Sequence, residues 1–339
     1  MSRAGGAGAA SRAAAPSVEL HRDGVRAGDR RLLAKTITLL ESRRADLAAV
    51  GQAVLEALAP HTGGAFRVGI TGTPGVGKST FIEALGLHLI DAGMRVAVLA
   101  IDPSSPRSGG SILGDKTRME KLSQHAAAFI RPSPSGGSLG GVAHRTRETL
   151  LLCEAAGFDV VIVETVGVGQ SEVAVASMVD FFAVLLQPGA GDELQGMKKG
   201  VLELADALVV NKADGEQLEA ARRARTAYRH ALGMLRPGSP SWRPPVLLAS
   251  AVTGEGIAGF WNAVREHRAR LAESGELAAR RSEQARAWMW SLVGEALQAS
   301  FRAHPEVAAA LPGLEAQVGA GRATPGAAAR RLLEIYRRS

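Results

Sequence analysis

Through the middle of the chain, short apolar runs alternate with longer stretches of helical period. The runs at 67–71, 96–101, 160–163, 181–186, 208–210 and 246–248 read as strands rich in β-branched residues. Their near-continuous apolar character predicts a mainly parallel sheet, because helices on both faces leave no side of such a strand facing water. Ahead of them, Leu32, Leu33, Ile37, Leu39, Leu40, Leu47, Val50, Val54 and Leu58 recur at helical spacing and predict two helices between Arg31 and Leu58. Gly63 and Gly64 mark the loop into the first strand, whose Val68 and Ile70 precede a glycine-rich turn. Beyond Trp261 the strand pattern stops and the chain reads as helices to its end. The stretch 281–301 sets Met289, Leu292, Val293, Ala296, Leu297 and Phe301 on one stripe, with Trp288 and Trp290 beside it. That stripe has two readings, packing onto the chain's own domain or a subunit interface, where aromatic residues are enriched.

Composition narrows the class. The 339 residues are 46% hydrophobic and 22% charged, which suits one globular domain with helical additions. After Met1, residues 2–17 are Ala, Gly, Ser, Arg and Pro with no acid, and residues 1–17 read as a flexible tail. An organellar transit peptide shares the Arg-rich, acid-poor character but uses a bulky apolar face that this segment lacks. A cytoplasmic protein is therefore expected, with the mitochondrial matrix as the alternative if the tail is a transit peptide. No apolar run approaches the roughly 20 residues that span a bilayer, so no membrane association is expected. The net charge of +7 raises the question of nucleic acid, but aromatics are only 4% and no recognition motif is present, so none is expected as a partner. Cys153 is the single cysteine and lies in an apolar helical stretch, and the eight histidines are scattered without ligand spacing.

The chemistry concentrates in one motif. Gly72-Thr73-Pro74-Gly75-Val76-Gly77-Lys78-Ser79, followed by Thr80, matches the phosphate-loop pattern G-x-x-x-x-G-K-[ST] directly after a strand and before a helix. Its glycines let backbone N–H groups wrap phosphates at the positive end of the helix. Lys78 is expected to reach the β- and γ-phosphates and Ser79 to ligate Mg²⁺. Thr73 stands where dimeric ATPases with a second loop lysine carry Lys, which disfavours that subclass.

A second motif chooses the base. Asn211-Lys212-Ala213-Asp214 follows the strand 208–210, where an open α/β sheet presents ligand groups. The Asp214 carboxylate can accept two hydrogen bonds from guanine's ring N–H and exocyclic amine, an arrangement adenine does not offer. Lys212 can lay its stem along the base, Asn211 can tie the strand to the phosphate loop, and Ser250-Ala251 can present a backbone N–H to the guanine carbonyl. GTP and GDP are thus the expected ligands. Asp102 and Glu164 close two strands and are candidate metal carboxylates. Glu164-Thr165-Val166-Gly167 resembles the Asp-x-x-Gly switch of GTPases with Glu in place of Asp, so Glu164 either ligates Mg²⁺ through water or orients the attacking water. The loops 104–115, 166–171 and 187–200 are candidate switches, Gly167 and Gln170 included. Gln170 lies three positions past the switch glycine, so slow intrinsic hydrolysis that a partner stimulates is expected.

From about Leu40 onward the chain resembles the MeaB/ArgK-type GTPases of the SIMIBI class, which serve adenosylcobalamin-dependent methylmalonyl-CoA mutase and related acyl-CoA mutases. The resemblance is carried by 72–80, by Ala100-Ile101-Asp102-Pro103-Ser104-Ser105, by Gly109-Gly110-Ser111-Ile112-Leu113-Gly114-Asp115-Lys116-Thr117-Arg118-Met119, by 164–172 and by 189–200. It implies that Asp102, Asp115 and Glu164 belong to the metal and switch machinery, and Asp192 with Lys198 to a third switch linked to the mutase. Lys198 thereby joins Lys78, Asp102 and Glu164 as a candidate catalytic group. The implied role is a chaperone whose GTP hydrolysis gates cofactor loading from an adenosyltransferase and protects or rescues the mutase. A homodimer is implied too. The chain has no Asp-x-His-x-x-Gly segment, so no cobalamin site of its own is expected, and it lacks the His-rich tracts or paired Cys of nickel-inserting relatives. A small-molecule kinase and a GTP-switched binding module are the alternatives. The expected organisation is a tail at 1–17, a helical segment at 18–60, a P-loop GTPase domain at 61–270 and a helical dimerisation arm at 271–339.

Overall fold

The computed structural model describes residues 16–42, 44–101, 119–132, 139–165, 171–189, 199–234 and 238–338. Two compact units, Met1–Ala278 and Ala279–Ser339, divide the chain. The first is built on seven strands, β1 (Phe66–Gly72), β2 (Val96–Ile101), β3 (Ala128–Pro132), β4 (Val160–Thr165), β5 (Phe181–Leu186), β6 (Ala207–Val210) and β7 (Val246–Leu248). They lie in the order β3-β2-β4-β1-β5-β6-β7, and every pairing is parallel. Six of these strands follow the apolar runs of the sequence. The seventh, β3, does not announce itself, because it is short, ends in Pro132 and pairs only with β2 at the sheet edge, where proline costs no ladder bond.

Burial on both faces explains the continuous apolar runs. Along β1, β4 and β5, Val68, Ile70, Val160, Ile162, Phe181, Ala183 and Leu185 enter one core, together with Phe81, Ile82, Leu85 and Leu89 of α4 (Lys78–Asp91). On the other face Val161, Val163, Phe182, Val184 and Leu186 enter a second core with Leu150, Leu152 and Cys153 of a helix over Leu139–Ala155. Period-2 alternation thus survives in the three-dimensional arrangement, although both sets are apolar.

Three N-terminal helices cover the second face, α1 (Val18–Arg26), α2 (Arg30–Leu40) and α3 (Ala45–Leu58). The last two are those expected from the sequence. The first has too few apolar residues to show a period, yet Ser17 Oγ accepts the Leu20 N–H at its start and His21 and Val25 are buried. Residues 1–15 lie outside the described set, and Ser17, placed in the tail by composition, is the α1 cap. The remaining helices, numbered in chain order after α4, are α5 (Glu120–Gln124), α6 (Leu139–Ala155), α7 (Ser171–Ala176), α8 (Lys199–Leu204), α9 (Leu218–Gly233), α10 (Ile257–Glu273), α11 (Glu276–Ala303), α12 (Pro305–Gly319) and α13 (Pro325–Arg337). Among the described residues, no helix is long and apolar enough to cross a membrane.

The second unit holds α12, α13 and all but the start of α11. Tyr336 packs its ring on Phe301 and His304, with centroids 5.3 and 5.4 Å apart. Met289, Leu292, Val293 and Leu297 of the apolar stripe and Trp290 beside it are exposed, Trp290 by 67%.

Candidate functional site

The C-terminal ends of β1, β4, β6 and β7 lie along one edge of the sheet, and the functional side chains gather there. β1 runs into the phosphate loop, and α4 begins at Lys78. The cap of α4 is Gly77 with φ of 91°, and a Cβ there would stand 2.9 Å from Asn211 Nδ2, so the position demands glycine twice over. Lys78 is buried, and its ammonium donates to the carbonyls of Gly72 (2.8 Å) and Thr73 (3.2 Å). These bonds hold a positive charge inside the loop. Thr73 Oγ1, within a loop whose N–H groups suit phosphate, is buried without a hydrogen-bond partner.

Ser79 lies one residue into α4, and its hydroxyl donates to Glu164 Oε1 at 3.2 Å. Glu164 is the penultimate residue of β4 and is buried. The parallel register of β1 and β4, with Ile70 opposite Glu164, brings together residues 85 apart in sequence. Beside them Thr71 and Thr165 share a buried hydroxyl–hydroxyl bond of 2.7 Å, a link between β1 and β4 that no sequence motif marks. A serine hydroxyl and a carboxylate at one strand edge are hard oxygen donors of the kind Mg²⁺ takes alongside phosphate oxygens, so this pair fits the ion. Among the described residues, no group of three His, Cys, Asp or Glu gathers elsewhere as a metal site.

The base-reading motif is tied to the same loop. The side chain of Asn211 is buried; Nδ2 donates to Val76 O (2.9 Å) and Oδ1 accepts the Ala251 N–H (3.3 Å). Lys212 adopts φ of 57°, and its ammonium donates to Gly75 O at 2.7 Å. Asp214 Oδ2 accepts the Ser250 hydroxyl, and that hydroxyl also accepts the Thr253 N–H at 3.1 Å. The strand-end backbone fixes these positions, since Asn211 N–H donates to Leu186 O and Ala213 N–H to Ala249 O. Thus three separated segments, 72–79, 211–214 and 250–251, are cross-linked by side chains that belong to the site.

Pro74, Gly75, Val76 and Thr80 complete the loop and the first turn of α4. Asp102, Asp115, Gly167, Gln170, Asp192 and Lys198 lie outside the described residues, as do most of the three candidate switch loops. Asp102 directly follows Ile101, which ends β2 opposite Thr165. Away from the site, burial pushes the Cys153 thiol well above its ordinary range, so the single cysteine stays protonated and is a core residue.

Residues 33–306 match the family model described as Methylmalonyl Co-A mutase-associated GTPase MeaB. The chain is 52% identical over 265 residues to GTPase ArgK of Escherichia coli (strain K12), covering 78% of this chain and 80% of that protein. It is 47% identical over 323 residues to the mitochondrial methylmalonic aciduria type A homolog of Mus musculus, covering 91% and 77%. Among solved structures, that of a LAO/AO transport system kinase superimposes with a TM-score of 0.75 at 39% identity, over 94% of this chain and 97% of that one. A phosphate loop, a guanine-type Asn-Lys-x-Asp strand end cross-linked to it, and a family match over most of the length lead to one conclusion: the chain belongs to the methylmalonyl-CoA mutase-associated GTPase family, MeaB.

Proposed function

We propose that this GTPase binds Mg²⁺-GTP at the loop 72–80 and uses slow, partner-stimulated hydrolysis to gate cofactor loading into an adenosylcobalamin-dependent acyl-CoA mutase. In this reading it protects or reactivates the mutase and works indirectly with the adenosyltransferase that supplies the cofactor. Support comes from the family's description, which couples GTPase to methylmalonyl-CoA mutase, and from the mouse relative's name. The observation that carries the nucleotide assignment is the Asn211 side chain, which joins the loop carbonyl of Val76 to the N–H of Ala251. That joint ties the strand end that carries Asp214 and the segment that carries Ser250 to the phosphate loop.

Lys78 would hold the phosphate charge, and Ser79 and Glu164 would hold Mg²⁺, which would supply positive charge against the phosphate groups. The hydrogen bond from Ser79 favours the metal side for Glu164 over water orientation, because it seats the carboxylate beside the hydroxyl at the first turn of α4 that is the candidate Mg²⁺ ligand. Asp102 and Asp115 are assigned to the metal and first switch, Gly167 and Gln170 to the second, and Asp192 and Lys198 to the switch that answers the mutase. The exposed stripe around Trp290 is assigned to a homodimer interface.

The test is nucleotide competition followed by mutase addition. GTP and GDP should displace a fluorescent guanine nucleotide, ATP should not, and Asp214→Asn should shift preference toward xanthine nucleotides. Hydrolysis should accelerate when the cognate mutase is added. Equal displacement by ATP and GTP would sink the base assignment, and turnover indifferent to every acyl-CoA mutase would sink the partner.

A further inference from the structure

The ladder between β1 and β4 stops at Ile70 opposite Glu164. Past that point each strand goes on with its other neighbour: β1 follows β5 as far as Gly72 opposite Leu185, and β4 follows β2 as far as Thr165 opposite Ile101. The two strands therefore part where the site begins. What spans the parting is the buried bond of 2.7 Å between the Thr71 and Thr165 hydroxyls, 94 residues apart in the chain. On the same face of β4, Val161 and Val163 are fully buried in an apolar core. A hydroxyl in that setting costs free energy unless it is bonded, and these two threonines, 2% and 0% exposed, satisfy one another. A pair of valines would fill the same space without that requirement, so packing alone does not call for threonine at either position.

Alternation along the strand sets this pair and the metal-type donors on opposite faces of the sheet. Val160 and Ile162 enter the core that contains α4, so Glu164 faces α4, where its Oε1 accepts the Ser79 hydroxyl at 3.2 Å. Val161 and Val163 enter the other core, and Thr165 faces that way with them. Each threonine is nonetheless one peptide from the site. Thr165 follows Glu164, and Thr71 precedes Gly72, whose carbonyl accepts the Lys78 ammonium at 2.8 Å. The peptide unit is planar and stiff, so holding one residue of a strand restricts the next. The hydroxyl bond thereby sets the lateral gap between the strand that carries Glu164 and the strand that leads into the phosphate loop and Ser79.

We propose that Thr71 and Thr165 are positioning residues for the Mg²⁺ site: their shared hydroxyl bond ties β1 to β4 where the ladder ends, and so keeps the Glu164 carboxylate within reach of the Ser79 hydroxyl. The inference rests on the nucleotide reading given above. The pair acts from the far face of the sheet, through the backbone of Glu164 on one side and of Gly72 on the other. Loss of the tie leaves Lys78, Asn211 and Asp214 with the partners they have, so nucleotide contacts that need no metal persist. It lowers the share of molecules in which Ser79 and Glu164 stand together as a pair of oxygen donors.

The experiment uses full-length protein and three readouts: binding of a non-hydrolysable GTP analogue across a Mg²⁺ series, GDP affinity without Mg²⁺, and the thermal midpoint. Thr165→Val should raise the Mg²⁺ concentration for half-maximal binding about fivefold, the size of effect that one hydrogen bond commands, and leave Mg²⁺-free GDP affinity unchanged. It should also lower the thermal midpoint, because the Thr71 hydroxyl is left buried without its partner. Adding Thr71→Val removes that orphan, so the double variant should regain most of the thermal midpoint while keeping the same fivefold shift in Mg²⁺. Thr165→Ser retains the hydroxyl and should restore most of the Mg²⁺ response. A Mg²⁺ response that returns to wild type together with the thermal midpoint in the double variant would reduce the pair to a packing element and overturn the proposal. So would equal weakening of Mg²⁺-free GDP and of the analogue. Wild-type protein that binds no guanine nucleotide would overturn the functional reading itself, an outcome distinguishable because it needs no variant.

Discussion

Replacing Asn211 by alanine and, separately, by aspartate asks whether the phosphate loop is held from behind by one side chain. Asn211 is 1% exposed, donates to Val76 O at 2.9 Å and accepts from Ala251 N at 3.3 Å. Alanine removes two hydrogen bonds and leaves a buried carbonyl and a part-buried N–H without that partner. At about 1 kcal/mol per bond, the loss of loop organisation is about 2 kcal/mol or more, a fall of roughly 30-fold in nucleotide affinity. Aspartate keeps the acceptor facing Ala251 but sets a second acceptor 2.9 Å from the Val76 carbonyl, with a charge in a buried position. That charge costs several kcal/mol beyond the alanine loss unless the carboxyl takes up a proton, about 100-fold further in affinity. The pH response separates the two variants. Burial and the facing carbonyl raise the aspartate's pKa, so the protonated form, able to donate to Val76 O, gains as pH falls through that raised value. Fluorescent GDP titrations from pH 8 to pH 5, each divided by wild type to remove titration of the phosphates, should show Asn211→Asp recovering on acidification and Asn211→Ala staying flat. Aspartate binding as well as alanine at neutral pH, or parallel pH curves, would refute the role assigned to this side chain.

Gly77→Ala places a Cβ at φ of 91° and 2.9 Å from Asn211 Nδ2; strain of about 1–3 kcal/mol should weaken GDP binding about fivefold or more in the same titration, and wild-type affinity would show that the loop relaxes. His21 is held below its ordinary pKa, first by burial and then by Lys35, while its Nδ1 pairs with Thr36 Oγ1 at 2.8 Å. The unfolded chain then binds more protons than the folded one between the lowered value and 6.5, so the α1–α2 contact should lose stability as pH drops below 6.5. Thermal melts of wild type minus His21→Gln should show that acid-sensitive component, and a pH-independent difference would exclude it. For the second unit, light scattering should give a dimer that Trp290→Glu with Leu297→Glu converts to monomer; a wild-type monomer at high concentration would remove the interface.

What the sequence determined by itself was set by short-range covalent and steric rules. The loop 72–79 needs glycine turns between a strand and a helix, and six of the seven strands need apolar residues on both faces; each is written within a few consecutive positions. The motif 211–214 is legible for the same reason, as a polar tetrad closing a buried strand. Tertiary structure alone decided β3, whose Ala-Phe-Ile-Arg-Pro becomes a strand because β2 offers an open edge, and α1, whose polar sequence becomes a helix because His21 and Val25 find a core. It also decided which groups meet. Glu164 reaches Ser79 across 85 residues, Asn211 reaches Val76 across 135 and Glu83 reaches Lys121 across 38, distances along the chain that no local periodicity encodes. Such encounters depend on strand order and register, which arise only when all seven strands compete for neighbours at once.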